Sequence, residues 1–120
     1  MQYVYYGNYP AYYEVGRVEA LRQLGMSYKS LEDSGVMMPV LDCHSKYLKP
    51  ALYDSELTIK VSIPLLPTSR IKFTYEIFNE GEELIHTGET TLAFVNMSSN
   101  RPTRVPTKML ELLKPFFDER

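Results

Sequence analysis

The sequence predicts an α+β fold in which a curved antiparallel sheet wraps around a long central helix. Residues 9–24 have apolar side chains around most of a helical circumference, which is typical of a helix buried on several sides. After Gly35, several runs alternate between apolar and polar residues, and short connections join them, so neighbouring strands are expected to be antiparallel. An apolar helix needs an element that covers it, and the apolar face of a sheet needs an element to pack against. Both patterns therefore indicate a sheet that wraps around the helix.

The predicted helix has recognisable signals at both ends. Asn8 is a favourable N-cap, Pro10 is tolerated in the first turn, and Gly25 suits the residue that follows the last turn. Gly16 costs about 1 kcal/mol relative to alanine inside a helix, so another element is expected to pack closely there. The apolar positions of this helix are Ala11, Tyr12, Val15, Val18, Leu21 and Leu24.

Four strands and a small terminal helix are predicted after the central helix. The run from Asn79 to Glu82 is a strong hairpin signal, and Gly88 is expected to bend the last strand. The predicted strands are 36–47, 56–66, 70–78 and 84–97, with a turn or loose helical turn at 27–35, a loop at 98–106 and an amphipathic helix at 108–117. Since the sequence has no repeats and no interdomain linker, residues 1–120 are expected to form a single domain.

The composition argues against several classes of protein. A formal net charge of -2 gives no reason to expect nucleic acid or an anionic membrane as the main partner. No apolar run approaches the roughly 20 residues needed to cross a bilayer, and the N-terminus lacks the layout of a signal peptide. The only cysteine, Cys43, has no second cysteine for an intrachain disulfide, so a cytoplasmic location is expected.

The cysteine and the two histidines do not form a recognisable catalytic or metal-binding set. Cys43 and His44 are adjacent on a predicted strand and point to opposite faces, which argues against a cysteine–histidine dyad. Cys43 is expected to be a small core residue and His44 a surface or interface residue, whereas His86 is isolated in the sequence. No cluster has metal-ligand spacing, and there is no glycine-rich phosphate loop or serine nucleophile elbow. Neither a metal nor an organic cofactor is therefore expected.

Four segments carry a resemblance to a known family. They are Val4-Tyr5-Tyr6-Gly7-Asn8-Tyr9 with Tyr13-Glu14-Val15-Gly16-Arg17, Tyr47-Leu48-Lys49-Pro50-Ala51 with Asp54, Gly88-Glu89-Thr90, and Arg101-Pro102-Thr103-Arg104-Val105-Pro106. In this order and spacing they resemble the 4-hydroxybenzoyl-CoA thioesterase family, the YbgC-like acyl-CoA thioesterases, over essentially the whole chain. The resemblance implies the hotdog fold and hydrolysis of an acyl-CoA thioester to free CoA and a carboxylic acid. It also implies a homodimer or homotetramer that binds CoA, as part of the substrate, at the protomer interface.

The resemblance assigns the polarisation of the thioester carbonyl to the backbone N–H of Tyr6, with Gly7 and Asn8 beside it at the helix entrance. Amides at a helix start lack intrahelical partners and carry about half a positive charge, so they suit a developing oxyanion. The family's catalytic aspartate would fall two residues before Met1, and Gln2 takes the usual glycine position of the motif. The family's first strand is missing as well, so the chain is N-terminally truncated relative to the family.

Two explanations of this truncation stay open. Either Met1 is an internal methionine and the working protein is longer, or the chain has lost both the catalytic carboxylate and an edge of its sheet. In the second case, Glu14 is a candidate general base. The simpler interpretation of Glu14 is an ion pair with Arg17, three residues along the helix.

The implied CoA contacts lie in two segments of the chain. They are Thr68, Ser69 and Arg70 before the third strand, and Arg101 and Arg104 after the last one. Basic side chains in these places suit the phosphate groups of CoA.

Two rival functions are compatible with the same fold. The first is a non-catalytic hotdog protein that binds an acyl- or aryl-CoA or acts as an assembly subunit. The second is a hotdog dehydratase, which uses an aspartate–histidine pair on a differently placed helix. Neither His44 nor His86 lies on the long helix, which disfavours the dehydratase.

Overall fold

The computed structural model describes residues 9–50 and 56–118, and within them three helices accompany six antiparallel strands. The helices are α1 (Tyr9–Gln23), α2 (Tyr28–Asp33) and α3 (Thr107–Asp118). The strands are β1 (Val36–Met37), β2 (Val40–Tyr47), β3 (Thr58–Ser62), β4 (Arg70–Phe78), β5 (Leu84–Asn96) and β6 (Arg101–Thr103). The predicted α+β class, with a curled antiparallel sheet and a long helix, is confirmed.

The longest strand, β5, lies in the middle of the sheet. Strand β4 pairs along one side of β5, and β3 pairs with the outer side of β4. Strand β2 pairs with the other side of β5, while β1 and β6 pair with its C-terminal end. In this register Ser45 of β2, Gly88 of β5 and Tyr75 of β4 lie side by side. Among the described residues the outer edge of β2 is unpaired, and all eight residues of β2 are exposed.

Helix α1 packs one face against the sheet. Gly16 lies so close to β3 that an added β-carbon would be 2.7 Å from Val61 Cγ2, which confirms the expected close packing. The expectation that the helix is buried on several sides is wrong within this chain, because Val15 and Val18 are 64% and 43% exposed. A sheet covers only the helical face that points towards it, so the opposite face stays open. The larger side chains of α1 that enter the core are Tyr9, Tyr12, Tyr13, Arg17 and Leu21.

Two predicted segments differ from the structure for local reasons. The strand expected over 36–47 is divided at Pro39, because proline has no N–H to donate to the ladder. The loop expected over 98–106 contains β6, which pairs with the end of β5. The segment 27–35, expected as a turn or a loose helical turn, takes the helical form as the six-residue helix α2, where Ser27 and Ser30 form a capping box.

Candidate functional site

The predicted catalytic residues Tyr6, Gly7 and Asn8 lie outside the described residues, so their roles stay predictions. Helix α1 begins at Tyr9, immediately after them. The structure therefore shows what surrounds the first turn of the helix, and this surrounding is built from β2 and β5.

Five side chains form a cluster at the start of α1, which we call the tyrosine–histidine cluster: Tyr9, Tyr13, Ser45, Tyr47 and His86. Tyr9 and His86 stack face to face, with ring centroids 3.7 Å apart and an interplanar angle of 8°. Tyr47 meets both rings edge-on, at centroid distances of 5.3 Å from Tyr9 and 4.7 Å from His86. The first turn of the helix is thus held against the end of β2 and the beginning of β5.

A chain of hydrogen bonds runs through this cluster from the core to its accessible side. The Tyr13 hydroxyl is hydrogen-bonded to Nε2 of His86 and to Oγ of Ser45, the latter at 2.7 Å. Tyr13 and His86 are fully buried, whereas Ser45 is exposed on β2. The Tyr13 hydroxyl lies directly over Gly88, where a β-carbon would overlap it. The absence of a side chain at position 88 is therefore a requirement of this arrangement.

The Tyr13 phenol and the His86 imidazole are both neutral at pH 7, and burial disfavours the charged form of each. Burial raises the pKa of the Tyr13 phenol to about 12, and the hydrogen bond with Ser45 opposes this effect. Burial also lowers the pKa of the His86 imidazole to about 4. The cluster consequently presents dipoles and hydroxyl groups to the helix start, and no net charge from these two side chains.

A second buried network lies beside the cluster and contains a cation. The guanidinium of Arg17 donates to the Tyr75 hydroxyl at 3.0 Å and to the Tyr28 hydroxyl at 3.2 Å. Tyr75 is also hydrogen-bonded to Thr90 at 2.6 Å, and its ring stacks on Tyr13 with centroids 4.2 Å apart. The stacked rings join the two networks into one polar layer between helix and sheet.

The expected ion pair between Glu14 and Arg17 is wrong. Arg17 is 7% exposed and points to the sheet, where the phenolic oxygens of Tyr75 and Tyr28 accept its hydrogen bonds. Glu14 is exposed. It takes no part in the hydrogen bonds among Tyr13, Ser45 and His86, and its role as a general base stays a prediction.

The structure brings the two predicted CoA segments together at the opposite end of β5. The Thr68 carbonyl accepts a hydrogen bond from the Val105 amide at 2.6 Å, and Arg70 pairs with Ala93 next to the β6 contact at Phe94. The predicted contact residues, which we call the CoA patch, are all exposed: Thr68, Ser69, Arg70, Arg101 and Arg104. Ala93 is seven positions after His86 on β5, which places the patch about 24 Å from the cluster within one chain.

Cys43 and His86 do not lie where the sequence suggested. Cys43 is exposed rather than part of the core, because β2 is an edge strand of the described sheet. His44 is exposed, as expected, and lies 3.7 Å from Asp42. His86 is isolated in sequence but central to the cluster. The sequence did contain one signal. His86, Gly88 and Thr90 are two positions apart along β5, so these positions face the same side of the sheet, which is the inner one.

Neither a metal site nor a membrane-spanning helix is present among residues 9–50 and 56–118. No group of three or more histidine, cysteine, aspartate or glutamate side chains is arranged to hold a metal ion there. No helix in these ranges has both the length and the apolar character of a membrane-spanning segment.

Comparison with known proteins agrees with this fold. The acyl-CoA thioester hydrolase YbgC of Escherichia coli is 28% identical over 111 residues, which cover 92% of this chain and 83% of the relative. YneP of Bacillus subtilis is 30% identical over 102 residues, which cover 85% of this chain and 74% of the relative.

A solved structure extends the likeness to three dimensions. The DHNA-CoA thioesterase of Staphylococcus aureus superposes with a TM-score of 0.79 and 32% identity, over 99% of this chain and 74% of that one. These likenesses confirm the predicted hotdog architecture. The family model of the thioesterase-like superfamily matches residues 1–113. The chain therefore belongs to the thioesterase-like superfamily.

Proposed function

We propose that this protein hydrolyses an acyl-CoA thioester to free CoA and a carboxylic acid, in the cytoplasm. Family membership supports this reaction, as do two relatives named as an acyl-CoA thioester hydrolase and a DHNA-CoA thioesterase. The observation that carries the proposal is the position of the α1 start. Its first turn lies against a layer of neutral, buried aromatic and polar side chains, where a helix-terminal amide acts in a site of low dielectric constant.

The chemistry requires a polarised carbonyl and an oxygen nucleophile. The amides at Tyr6, Gly7 and Asn8 are proposed to stabilise negative charge on the thioester oxygen. Water, or a carboxylate that water later displaces, forms the new C–O bond; the C–S bond then breaks, and the CoA thiolate takes up a proton. Removing one such oxyanion donor costs on the order of 3 kcal/mol of transition-state stabilisation in comparable sites.

A homodimer through β2 is the proposed assembly. The outer edge of β2 is unpaired within the described part of the chain, and it carries the half-exposed apolar side chains of Val40, Leu41 and Tyr47. Such an edge favours pairing with another strand. Antiparallel pairing of β2 with β2 of a second copy would extend the sheet across a two-fold axis.

This two-fold arrangement would also complete the proposed substrate site. The axis reverses the direction of every strand in the second copy, so its CoA patch lies at the same edge of the extended sheet as the α1 start of the first. The CoA phosphates would then contact the patch of one protomer while the thioester reaches the cluster of the other. A dimer of this kind explains why the two predicted parts of the site are about 24 Å apart within one chain.

Turnover of a panel of aromatic and medium-chain acyl-CoA substrates tests the reaction. Hydrolysis is followed for this chain and for a form extended by the codons that precede Met1 in the gene. Faster hydrolysis by either form than by buffer alone is expected, and negligible rates for both contradict the proposal.

The double substitution R101A/R104A should raise KM about tenfold or more with little change in kcat. Arg22→Ala, an exposed arginine of α1 paired with Glu19, is the matched control.

Sedimentation equilibrium and cross-linking test the assembly. If β2 pairs with its own copy, a short bis-maleimide should join Cys43 of one chain to Cys43 of another, since this thiol is exposed near the middle of β2. A monomer at all concentrations would contradict the proposed dimer.

A binding protein without catalysis is the second candidate, and one observation favours it. Among the described residues, Tyr13, Ser45 and His86 are hydrogen-bonded to one another through a phenol, a hydroxyl and an imidazole rather than through a carboxylate. Calorimetric binding of acyl-CoA without turnover in either form of the protein would select this function.

A further inference from the structure

We propose that the Ser45 hydroxyl is a catalytic hydrogen-bond donor to the reacting thioester, and that Tyr13 and His86 are the positioning residues that orient it. This inference rests on the proposed thioester hydrolysis and names a group within the same site. Three observations carry it: the burial gradient along the chain of hydrogen bonds, the direction in which its protons point, and its distance from the helix start.

Along the chain of hydrogen bonds from His86 through Tyr13 to Ser45, the side chains change from buried to exposed, so Ser45 is the accessible end. His86 and Tyr13 are 0% exposed, while Ser45 is an exposed residue of β2. The Tyr13 hydroxyl contacts both of the others, at 2.7 Å from Ser45 Oγ. Gly88 leaves the space that the Tyr13 hydroxyl occupies. Water would satisfy the hydroxyl of an exposed serine without this contact, so the buried partner indicates a role in orientation.

The tautomer of His86 decides the direction of the protons. The ring is buried and neutral at pH 7, and its Nδ1 has no hydrogen-bond partner among residues 9–50 and 56–118. A proton on Nδ1 would leave a donor without an acceptor in the core, and buried orphan N–H groups are rare. With the proton on Nε2 instead, His86 donates to Tyr13, and the Tyr13 hydroxyl donates to Ser45 Oγ. The Ser45 hydroxyl proton is then directed away from the chain, to the accessible side.

The third observation is the nearness of Ser45 to the helix entrance. Its partner Tyr13 is four residues beyond Tyr9, the first residue of α1, which is about 6 Å along the helix axis. The next inward-facing residue of β2, Tyr47, packs on Tyr9 itself. A thioester bound over the first turn of α1 would thus lie beside the Ser45 hydroxyl. Each hydrogen bond in the chain polarises the next, which strengthens Ser45 as a donor.

Steady-state kinetics of four single variants of the whole protein test the role of Ser45. Ser45→Ala should lower kcat about 10- to 100-fold with KM changed less than twofold, because a donor that acts mainly in the transition state is lost. Ser45→Thr keeps a hydroxyl and should recover most of the rate. Tyr13→Phe should lower kcat to a similar extent. Ser62→Ala, an exposed strand serine on β3, is the matched control and should match the wild-type protein.

The outcomes separate this inference from the proposed function. If the wild-type protein hydrolyses acyl-CoA and Ser45→Ala matches Ser62→Ala, the role of Ser45 is overturned while the reaction stands. If neither this chain nor its extended form shows turnover, the reaction and the catalytic role fall together. Long-range ¹H–¹⁵N NMR of His86 tests the orientation independently of activity. A protonated Nε2 supports the proposed direction of the chain, and a protonated Nδ1 overturns it.

Discussion

The Tyr13 hydroxyl occupies the space that a side chain at Gly88 would need, although 75 positions separate the two residues in the sequence. Tyr13 reaches from α1 across the inner face of the sheet, with Ser45 on one side of Gly88 and Tyr75 on the other. Helix, edge strand and central strand are therefore joined at one point. The stability of the protein and the geometry of its site depend on this same contact.

Gly88→Ala is expected to destabilise the protein by about 1–3 kcal/mol, because the added methyl group overlaps the Tyr13 ring and its hydroxyl. Urea unfolding measures the change in free energy of unfolding. Gly81→Ala is the matched control, since its β-carbon would meet only Asn79 Oδ1 at 3.5 Å. A change at Gly88 no larger than the change at Gly81 would contradict the packing described for Tyr13.

Acidification should destabilise the protein through His86. Its folded pKa of about 4 is below the unfolded value of about 6.5, so the unfolded state takes up the proton first. The stabilisation from keeping His86 neutral is complete above pH ~6.5 and decreases as the pH falls to ~4, by about 3 kcal/mol in total. Urea unfolding at a series of pH values in this window measures the slope.

Substitution of His86 isolates its contribution from that of the carboxylates. His86→Gln removes the titrating group and should flatten the stability profile between pH ~6.5 and ~4. Equal slopes for the wild-type protein and His86→Gln would show that His86 is not the group that titrates.

Arg17→Lys is expected to lower the free energy of unfolding by about 1–3 kcal/mol. The guanidinium donates from two different nitrogens to Tyr75 and Tyr28, and an ammonium group on a lysine stem does not reproduce this geometry. Arg22→Lys, on the exposed part of the same helix, should leave the free energy of unfolding nearly unchanged. Chemical denaturation of the two variants side by side measures the difference, and equal effects would exclude a special role of Arg17.

The contact between Gly16 and Val61 should decide whether Gly16→Ala destabilises or stabilises the protein. In the wild-type background, Gly16→Ala places its β-carbon 2.7 Å from Val61 Cγ2 and is expected to cost about 1 kcal/mol or more. In a Val61→Ala background the same change should stabilise the protein by up to about 1 kcal/mol, because only the helix propensity of alanine remains. A double-mutant cycle by thermal and urea unfolding gives the coupling free energy. A coupling near zero would contradict close packing at Gly16.

Much of the fold follows from local patterns in the sequence. Strand β4 begins at Arg70 and ends at Phe78, as its alternation predicts, because the pleat repeats every two residues whatever packs against it. Helix α1 ends at Gln23, two residues before the predicted terminator Gly25. The close packing at Gly16 was also foreseen, since glycine inside a helix needs a reason in its surroundings.

The site depends on contacts that no local pattern contains. His86 and Tyr13 are 73 residues apart, and only the register of β5 and the packing of α1 bring them into hydrogen-bond contact. The prediction of an ion pair for Arg17 was wrong for the same reason. Spacing along a helix shows which side chains are neighbours, but it does not show which face the sheet buries. Cys43 is exposed because β2 forms an edge of the described sheet. Periodicity is a property of adjacent backbone units, so the sequence contains it. Burial and hydrogen-bond partners arise only when distant segments pack together, and these contacts decide the chemistry of this protein.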